Sequence, residues 1–391
     1  MANLHSTQHV NPARLERWLG AAHVESISRA MRGGGGPGQR WYGRPIAVLG
    51  LPNGSRVFAT ADGDFVGTLL GGAETSRREW MEDTFRRQRH HAEDAIHRWA
   101  VGQMGQAAAG FSSLSDFISE MSAAGKVQPV NYNKAGTTGV VAATNSLWRV
   151  GSMPAAGAAG AAAPGGTVPT NATTGALPIA DVTPDYQYLV AADPLATVNA
   201  QTLLLYDRLF SVAKTMASTA TEAVTGVPTR YTSNTDTDPD SAVGNFLFIE
   251  CGTVLAATAH NWTTCTYVDQ NGNTGATLPS VTGNSGNIVN RLDQPTGTWF
   301  APLASGDSGI DSLTQMQCSA SVATGAIDFV IGHPIAWMPC ALANFTTPWD
   351  VTDRPGRLVR IFDDACLAFL EVLKSATTAT THTGTLMFGR G

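Results

Sequence analysis

The sequence predicts an α+β chain: a helical and hairpin amino-terminal part, then a β-rich carboxy-terminal domain of sandwich or jelly-roll-like form. Three observations lead there. Amphipathic helical periodicity is confined to the first third of the 391 residues. The second half repeats short β-branched and aromatic runs between clusters of Gly, Asn, Asp and Pro. Between the two lies a Gly/Ala/Pro-rich stretch almost without charge. These shifts divide the chain into a mixed helix/hairpin domain over residues 1–126, an arm or linker over 127–185, and a structural β-rich domain over 186–391. The length suits two or three domains at roughly 150 residues each.

At the amino end, a short helical stretch (about Pro12 to Met31) stops at the glycine run 33–36 with Pro37 and Gly38. Ile46–Leu49 and Arg56–Ala59 read as strands joined through Leu51-Pro52-Asn53-Gly54. Asn-Gly supplies the positive φ angles that a tight hairpin turn needs. Asp62-Gly63-Asp64 marks the next turn, before Phe65–Leu70. Residues 75–104 are the best helix, with Trp80, Phe85, Ala92, Ile96 and Trp99 on one stripe. Thr75 or Ser76 serves as its N-cap, and Glu79 and Glu82 complement the positive end of the helix dipole. The opposite face carries Arg77, Arg78, Arg86, Arg87, Arg89 and Arg98. A second amphipathic stretch holds Phe111, Leu114, Ile118 and Met121 and closes at Gly125.

From Met153 to Gly175 Pro and Gly forbid a long helix, which leaves a flexible linker or an extended arm held by neighbours. Strands then follow at Tyr188–Val190, Thr202–Tyr206, Phe246–Ile249 and Cys265–Val268, with a turn over Asp269–Asn273. Met316–Ser319, Ile327–Ile331, Leu358–Phe362, Ala365–Lys374 and Thr383–Phe388 continue the pattern.

Only 14% of residues are charged, against about 25% in an average soluble domain. That excludes a coiled coil, a strongly basic nucleic-acid binder and a disordered acidic chain. Residues 1–126 carry 14 Lys+Arg against 12 Asp+Glu, and residues 127–391 carry 11 against 19, for a net charge of -6. Lysine occurs only at Lys126, Lys134, Lys214 and Lys374, and the other cations are arginines, which suit fixed interfaces better than solvated surface. A GC-rich genome would also favour Arg and Ala. No apolar run approaches the ~18 residues of a membrane helix, and the polar start reads as no secretory signal. The Asn-x-Thr sequons at Asn171, Asn261 and Asn344 therefore carry little meaning. The cysteines, Cys251, Cys265, Cys318, Cys340 and Cys366, form no CxxC pair and read as reduced, buried thiols. A Cys251–Cys265 disulfide stays open as an alternative.

The sharpest enzymatic pattern is Gly306-Asp307-Ser308-Gly309 after Thr258-Ala259-His260, which echoes chymotrypsin-like serine proteases. A serine nucleophile needs a histidine base in reach and an acid behind it. The short spacing from His260 to Ser308 leaves little room for an acid-bearing strand, and the tetrapeptide is also an ordinary turn. Asp236, Asp238 and Asp240 alternate as Ca²⁺ ligands do, but Pro239 interrupts them and the loop lacks the glycine and terminal glutamate of a calcium loop. His90, His91 and His97 do not have the spacing of a helical metal pair. No phosphate loop follows the glycine run. We therefore expect no catalytic, metal-binding or cofactor-binding residues and no enzymatic activity. The six arginines of the 77–98 face remain as interface candidates, for a solvated helix face, a protein partner or, last, packaged nucleic acid.

Residues 146–391 resemble uncharacterised structural proteins of tailed bacteriophages. The likeness is carried by Ser146-Leu147-Trp148 with Met153–Gly157, by Thr173–Pro178, and by Thr202–Leu209. Thr266–Gly275 and Phe300–Gly309 continue it. It implies a virion component, a capsid shell subunit or decoration protein assembled in the host cytoplasm, whose partners are copies of itself and other capsid proteins. Nucleic-acid contact is the minor expectation and a membrane is not expected. It also implies that Gly306–Gly309 is a structural turn. The rival readings are a receptor- or glycan-binding fibre module using Trp262, Trp299, Trp337 and Trp349, and a serine hydrolase.

Overall fold

The computed structural model describes residues 110–111, 113–351 and 358–391, together with four strands between Arg40 and Leu69. Two compact units, residues 1–99 and 100–391, divide the chain.

The first unit contains β1 (Arg40–Trp41), β2 (Arg44–Gly50), β3 (Arg56–Thr60) and β4 (Phe65–Leu69), an antiparallel meander in that order. Gly50 lies opposite Arg56, so the hairpin falls where Asn53-Gly54 predicts it. The expected helices over residues 12–31 and 75–104 lie outside the described residues.

The second unit opens with α1 (Leu114–Ser122), whose N-cap Ser113 accepts the Asp116 backbone N–H at 3.0 Å. Phe117 takes the place expected of Ile118: its ring meets Phe111 edge-on at 4.9 Å, whereas Ile118 faces outward. The helix ends before Gly125, which adopts φ +77° in the following turn. The strands continue with β5 (Val127–Lys134), β6 (Asn145–Ser146), β7 (Ser152–Met153), β8 (Gln187–Ala196), β9 (Gln201–Thr215) and β10 (Glu222–Ala223). Next come β11 (Phe246–Thr253), β12 (Asn261–Trp262), β13 (Thr266–Asp269), β14 (Thr274–Thr277) and β15 (Val281–Thr282). The last are β16 (Ile310–Met316), β17 (Ala326–Cys340), β18 (Trp349–Asp350), β19 (Arg360–Ile361), β20 (Leu367–Glu371) and β21 (His382–Arg390). The unit is thus mostly β, and α1 is the only α-helix among the described residues.

A five-stranded sheet, β11-β17-β9-β20-β6, is covered on both faces. Leu203, Leu205, Met338 and Phe369 pack with Val130, Leu189, Leu386 and Phe388 of the six-stranded sheet that holds β18-β8-β21-β5-β7 and β19. Further along, Phe210, Val212, Leu247 and Phe329 pack with Tyr267, Ile310, Leu313 and Met316 of the four-stranded sheet β10-β16-β13-β14. The opposite face, with Leu204, Tyr206, Phe248 and Leu370, is closed by Trp148, Ala176 and Leu292. Burial on both faces explains why Leu203-Leu204-Leu205-Tyr206 reads as a continuous apolar run and not as an alternation. A register irregularity leaves Leu209 without a partner on β17 and reverses the alternation, so even-numbered Phe210 and Val212 continue the face begun by odd-numbered Leu203 and Leu205.

Within the segment expected as an arm or linker, residues 127–134 are β5 in the six-stranded sheet. The Gly/Ala/Pro stretch runs along its own chain: Thr167 exchanges backbone hydrogen bonds with Ser211 at 2.7 and 2.9 Å, and the Ala213 N–H donates to Ala161. Small residues are required there. A Cβ on Gly157 would stand 2.1 Å from the Trp148 ring, and one on Gly160 2.6 Å from the Ser211 carbonyl oxygen.

Candidate functional site

The arginines Arg77, Arg78, Arg86, Arg87, Arg89 and Arg98 and the histidines His90, His91 and His97 lie outside the described residues. The remaining candidates are placed.

His260 and Ser308 do not form a catalytic pair. His260 is buried, and its Nδ1 faces the Thr258 carbonyl at 3.0 Å while Nε2 faces the Asp293 carboxylate at 2.8 Å. Two acceptors on two ring nitrogens call for the doubly protonated imidazolium, which has no lone pair to take a serine proton. Burial alone would lower the His260 pKa, but the hydrogen bonds to Asp293 and Thr258 and the Asp293 charge outweigh it and hold it above the ordinary value. Asp293 also accepts from Trp262 Nε1 (3.0 Å), the Asn284 N–H (2.8 Å) and Asn287 Nδ2 (3.2 Å). Gly306–Gly309 is a turn: Gly306 has φ +101°, and the Ser308 and Gly309 N–H groups both donate to Gln270 Oε1 at 3.1 Å. A Cβ at Gly309 would lie 2.1 Å from the Ala242 carbonyl oxygen, so backbone packing accounts for that glycine.

This histidine predicts a pH dependence. A raised folded pKa contributes stability that is complete below the unfolded value, about 6.5, and is lost as pH rises through the folded one. Urea midpoints are expected to fall across that window. His260→Gln is expected to flatten the profile and to cost roughly 1–3 kcal/mol at pH 6.

Of the alternating aspartates, Asp240 pairs with Arg360 at 3.2 Å, and Asp238 Oδ1 accepts the Asp240 N–H at 3.0 Å. No group of three or more His, Cys, Asp or Glu side chains is placed to hold a metal ion among the described residues. All five cysteines are free and buried, so Cys251 and Cys265 are not joined.

Three buried networks hold charged residues inside the sheets. Asp207 on β9 is clamped by Arg230 through Nε (2.8 Å) and Nη2 (2.9 Å), and Nη2 also donates to the Pro169 carbonyl. Next to it, Arg208 pairs with Glu250 at 2.9 Å under the Trp148 ring, while Arg149 pairs with Asp328. Glu250 and Asp328 stand directly opposite on β11 and β17, and burial together with the Glu250 charge holds Asp328 above the usual carboxylate range despite the two arginines. The third network joins Glu371 to Lys374, His382 and Asn145. Sequence reasoning missed all three, although Asp207-Arg208 inside an apolar strand was a visible signal: charges there must be paired.

Apolar side chains are exposed at the surface. Trp299 meets Phe246, Phe300 and Trp337 edge-on at 4.9, 4.7 and 4.9 Å, beside a pocket of about 370 Å³ lined by Phe246, Pro302, Leu303 and Ser308. Phe300 and Trp337 remain 40% and 38% exposed. On the turn after β17, Leu342 and Phe345 project at 58% and 68%. Of the other tryptophans named from the sequence, Trp262 is buried and Trp349 half-buried.

No protein-family model matches the chain, and no curated protein matches it. Chains from structures of infectious bursal disease virus, Gx and Gt strains, are similar at 8% and 10% identity. Each alignment covers 68% of this chain and 80% of the viral one, with TM-scores of 0.16 and 0.15. Backbones that agree so little carry no part of the functional argument.

Proposed function

We propose that the chain is a virion structural protein of a tailed bacteriophage, which builds or decorates the capsid through repeated contacts with copies of itself and other capsid proteins. One observation carries this reading: the β-rich unit presents Trp337, Phe300, Leu342 and Phe345 to the outside, while ion pairs such as Arg208–Glu250 and Arg230–Asp207 are held inside its sheets. Clustered apolar side chains on a surface mark contact with other molecules, and in a symmetric array a modest contact is multiplied by avidity. The resemblance of residues 146–391 to phage structural proteins points the same way. In this reading the chain is not an enzyme, it resides in the virion, and the Arg77–Arg98 face meets a protein before it meets nucleic acid.

Sedimentation at rising concentration tests the reading. The parent is expected to associate, and Phe345→Ser or Trp337→Ser is expected to weaken association about tenfold, equal to about 1.4 kcal/mol. Unchanged association in both variants would move the contact elsewhere and remove the observation on which the reading stands. The aromatic pocket favours one second reading, a glycan-binding fibre module. Glycan-array binding that Trp337→Ala abolishes would support that module over the shell.

A further inference from the structure

We propose that Lys374 and Asn145 form an intrachain isopeptide bond, with Glu371 as the proton-transfer residue. The three side chains are brought together by the fold. Asn145 on β6 lies directly opposite Glu371 on β20, and Lys374 follows three residues later on the turn that leaves the strand. Lys374 Nζ donates to both Glu371 oxygens at 2.9 Å, and Asn145 Nδ2 donates to Oε2 of the same carboxylate at 3.2 Å. Thr137 holds both groups from the other side: its carbonyl accepts from Lys374 Nζ at 3.1 Å and its hydroxyl from Asn145 Nδ2 at 3.1 Å. Amine and carboxamide are therefore anchored to the same two residues.

The surroundings suit the chemistry. Lys374, Asn145 and Glu371 are 1%, 1% and 0% exposed, so bulk water neither solvates the amine nor competes with it as nucleophile. A fixed amine beside a fixed carboxamide has the high effective concentration that a slow acyl transfer needs. Asn145 Oδ1 is buried without a hydrogen-bond partner, an unfavourable arrangement for a residue with a packing role alone. Gly139 leaves the room: a Cβ there would lie 2.7 Å from Lys374 Cδ and 2.9 Å from Asn145 Nδ2.

The step balances without an outside reagent. Lys374 passes one proton to Glu371, and the freed lone pair attacks Asn145 Cγ. Glu371 then gives its proton to Nδ2 and recovers one from the former lysine nitrogen. The Cγ–Nδ2 bond breaks, the Cγ–Nζ amide remains, and Nδ2 departs as ammonia. The last proton stays on Glu371 or leaves with the product as ammonium. His382 Nε2, 3.1 Å from Glu371 Oε1, keeps the carboxylate in place throughout. The product ties edge strand β6 to the turn after β20, a covalent cross-link that removes freedom from the unfolded chain as a disulfide does.

Intact-mass measurement of the denatured full chain tests this. The expected mass is about 17 Da below that of the sequence, the loss of one ammonia, and a protease digest yields a branched peptide joining Asn145 to Lys374. Glu371→Gln and Lys374→Met are each expected to restore the full mass and to abolish the branched peptide. If these variants do not fold, the parent alone decides. A parent of full sequence mass, or a loss of ammonia without the branched peptide, overturns the proposal and leaves Glu371, Lys374 and His382 as a non-covalent network. Neither result depends on whether the chain assembles into a capsid.

Discussion

Replacing Arg230 by methionine is expected to destabilise the β-rich unit by about 3–5 kcal/mol, because it strands a buried carboxylate. Asp207 is fully buried, and Arg230 is its bidentate partner. The same guanidinium donates to the Pro169 and Arg208 carbonyls and to Asp364, so three segments lose a shared donor at once. The double variant Arg230→Met/Asp207→Leu is expected to recover part of the loss, since removing both charges removes the unpaired one. It will not recover all, because the Cys366 N–H, which donates to Asp207 Oδ1 at 2.8 Å, loses its acceptor, at roughly 1–3 kcal/mol. Urea unfolding of the parent, both single variants and the double variant gives the coupling directly; additive losses would contradict this account.

Arg208→Met is expected to cost a similar 3–5 kcal/mol, with a different pH signature. Arg208 lies between Glu250 and Asp328, at 2.9 and 3.6 Å. Without it two facing carboxylates share Arg149 alone, whose side chain is still 17% exposed. Burial and the facing Glu250 charge already hold Asp328 above the usual carboxylate range, and losing the Arg208 charge raises it further. A carboxyl whose folded pKa is raised above the unfolded value gains stability as pH falls through the folded value, so the variant's deficit is expected to shrink between pH 7 and pH 5. Arg149→Met is expected to cost less, roughly 1–3 kcal/mol, because water reaches that side chain. A pH-independent deficit in Arg208→Met would show that the two carboxylates do not interact.

Much of the β architecture was legible in the sequence, and the reasons differ between elements. Asn53-Gly54 marks the β2–β3 hairpin because few other dipeptides accept its turn. Phe246–Ile249 and Ile327–Ile331 read as strands because both faces of their sheet are buried, which makes a run of apolar residues the whole signal. β5 was missed because Val127–Lys134 mixes Gln, Pro and Asn with its apolar residues and its burial depends on pairing with distant β21. The fate of residues 153–175 was open between linker and arm; contact of this stretch with β9 is what no local pattern reports. At the candidate site, the sequence drew attention to His260 and Ser308 by motif. Their roles are set largely by Asp293 and Gln270, which lie beside them only in three dimensions. The Asn145–Glu371–Lys374 cluster was equally hidden, since strand pairing alone brings Asn145 to Glu371.

The proposed capsid role requires repeated contact between this chain and other coat subunits. Electron micrographs of the purified full chain over a range of concentrations test it most directly. Regular rings, sheets or closed shells that Phe345→Ser or Trp337→Ser disperses are the predicted result. A chain that stays monomeric at every concentration, and does not join capsid particles mixed with it, would contradict the account.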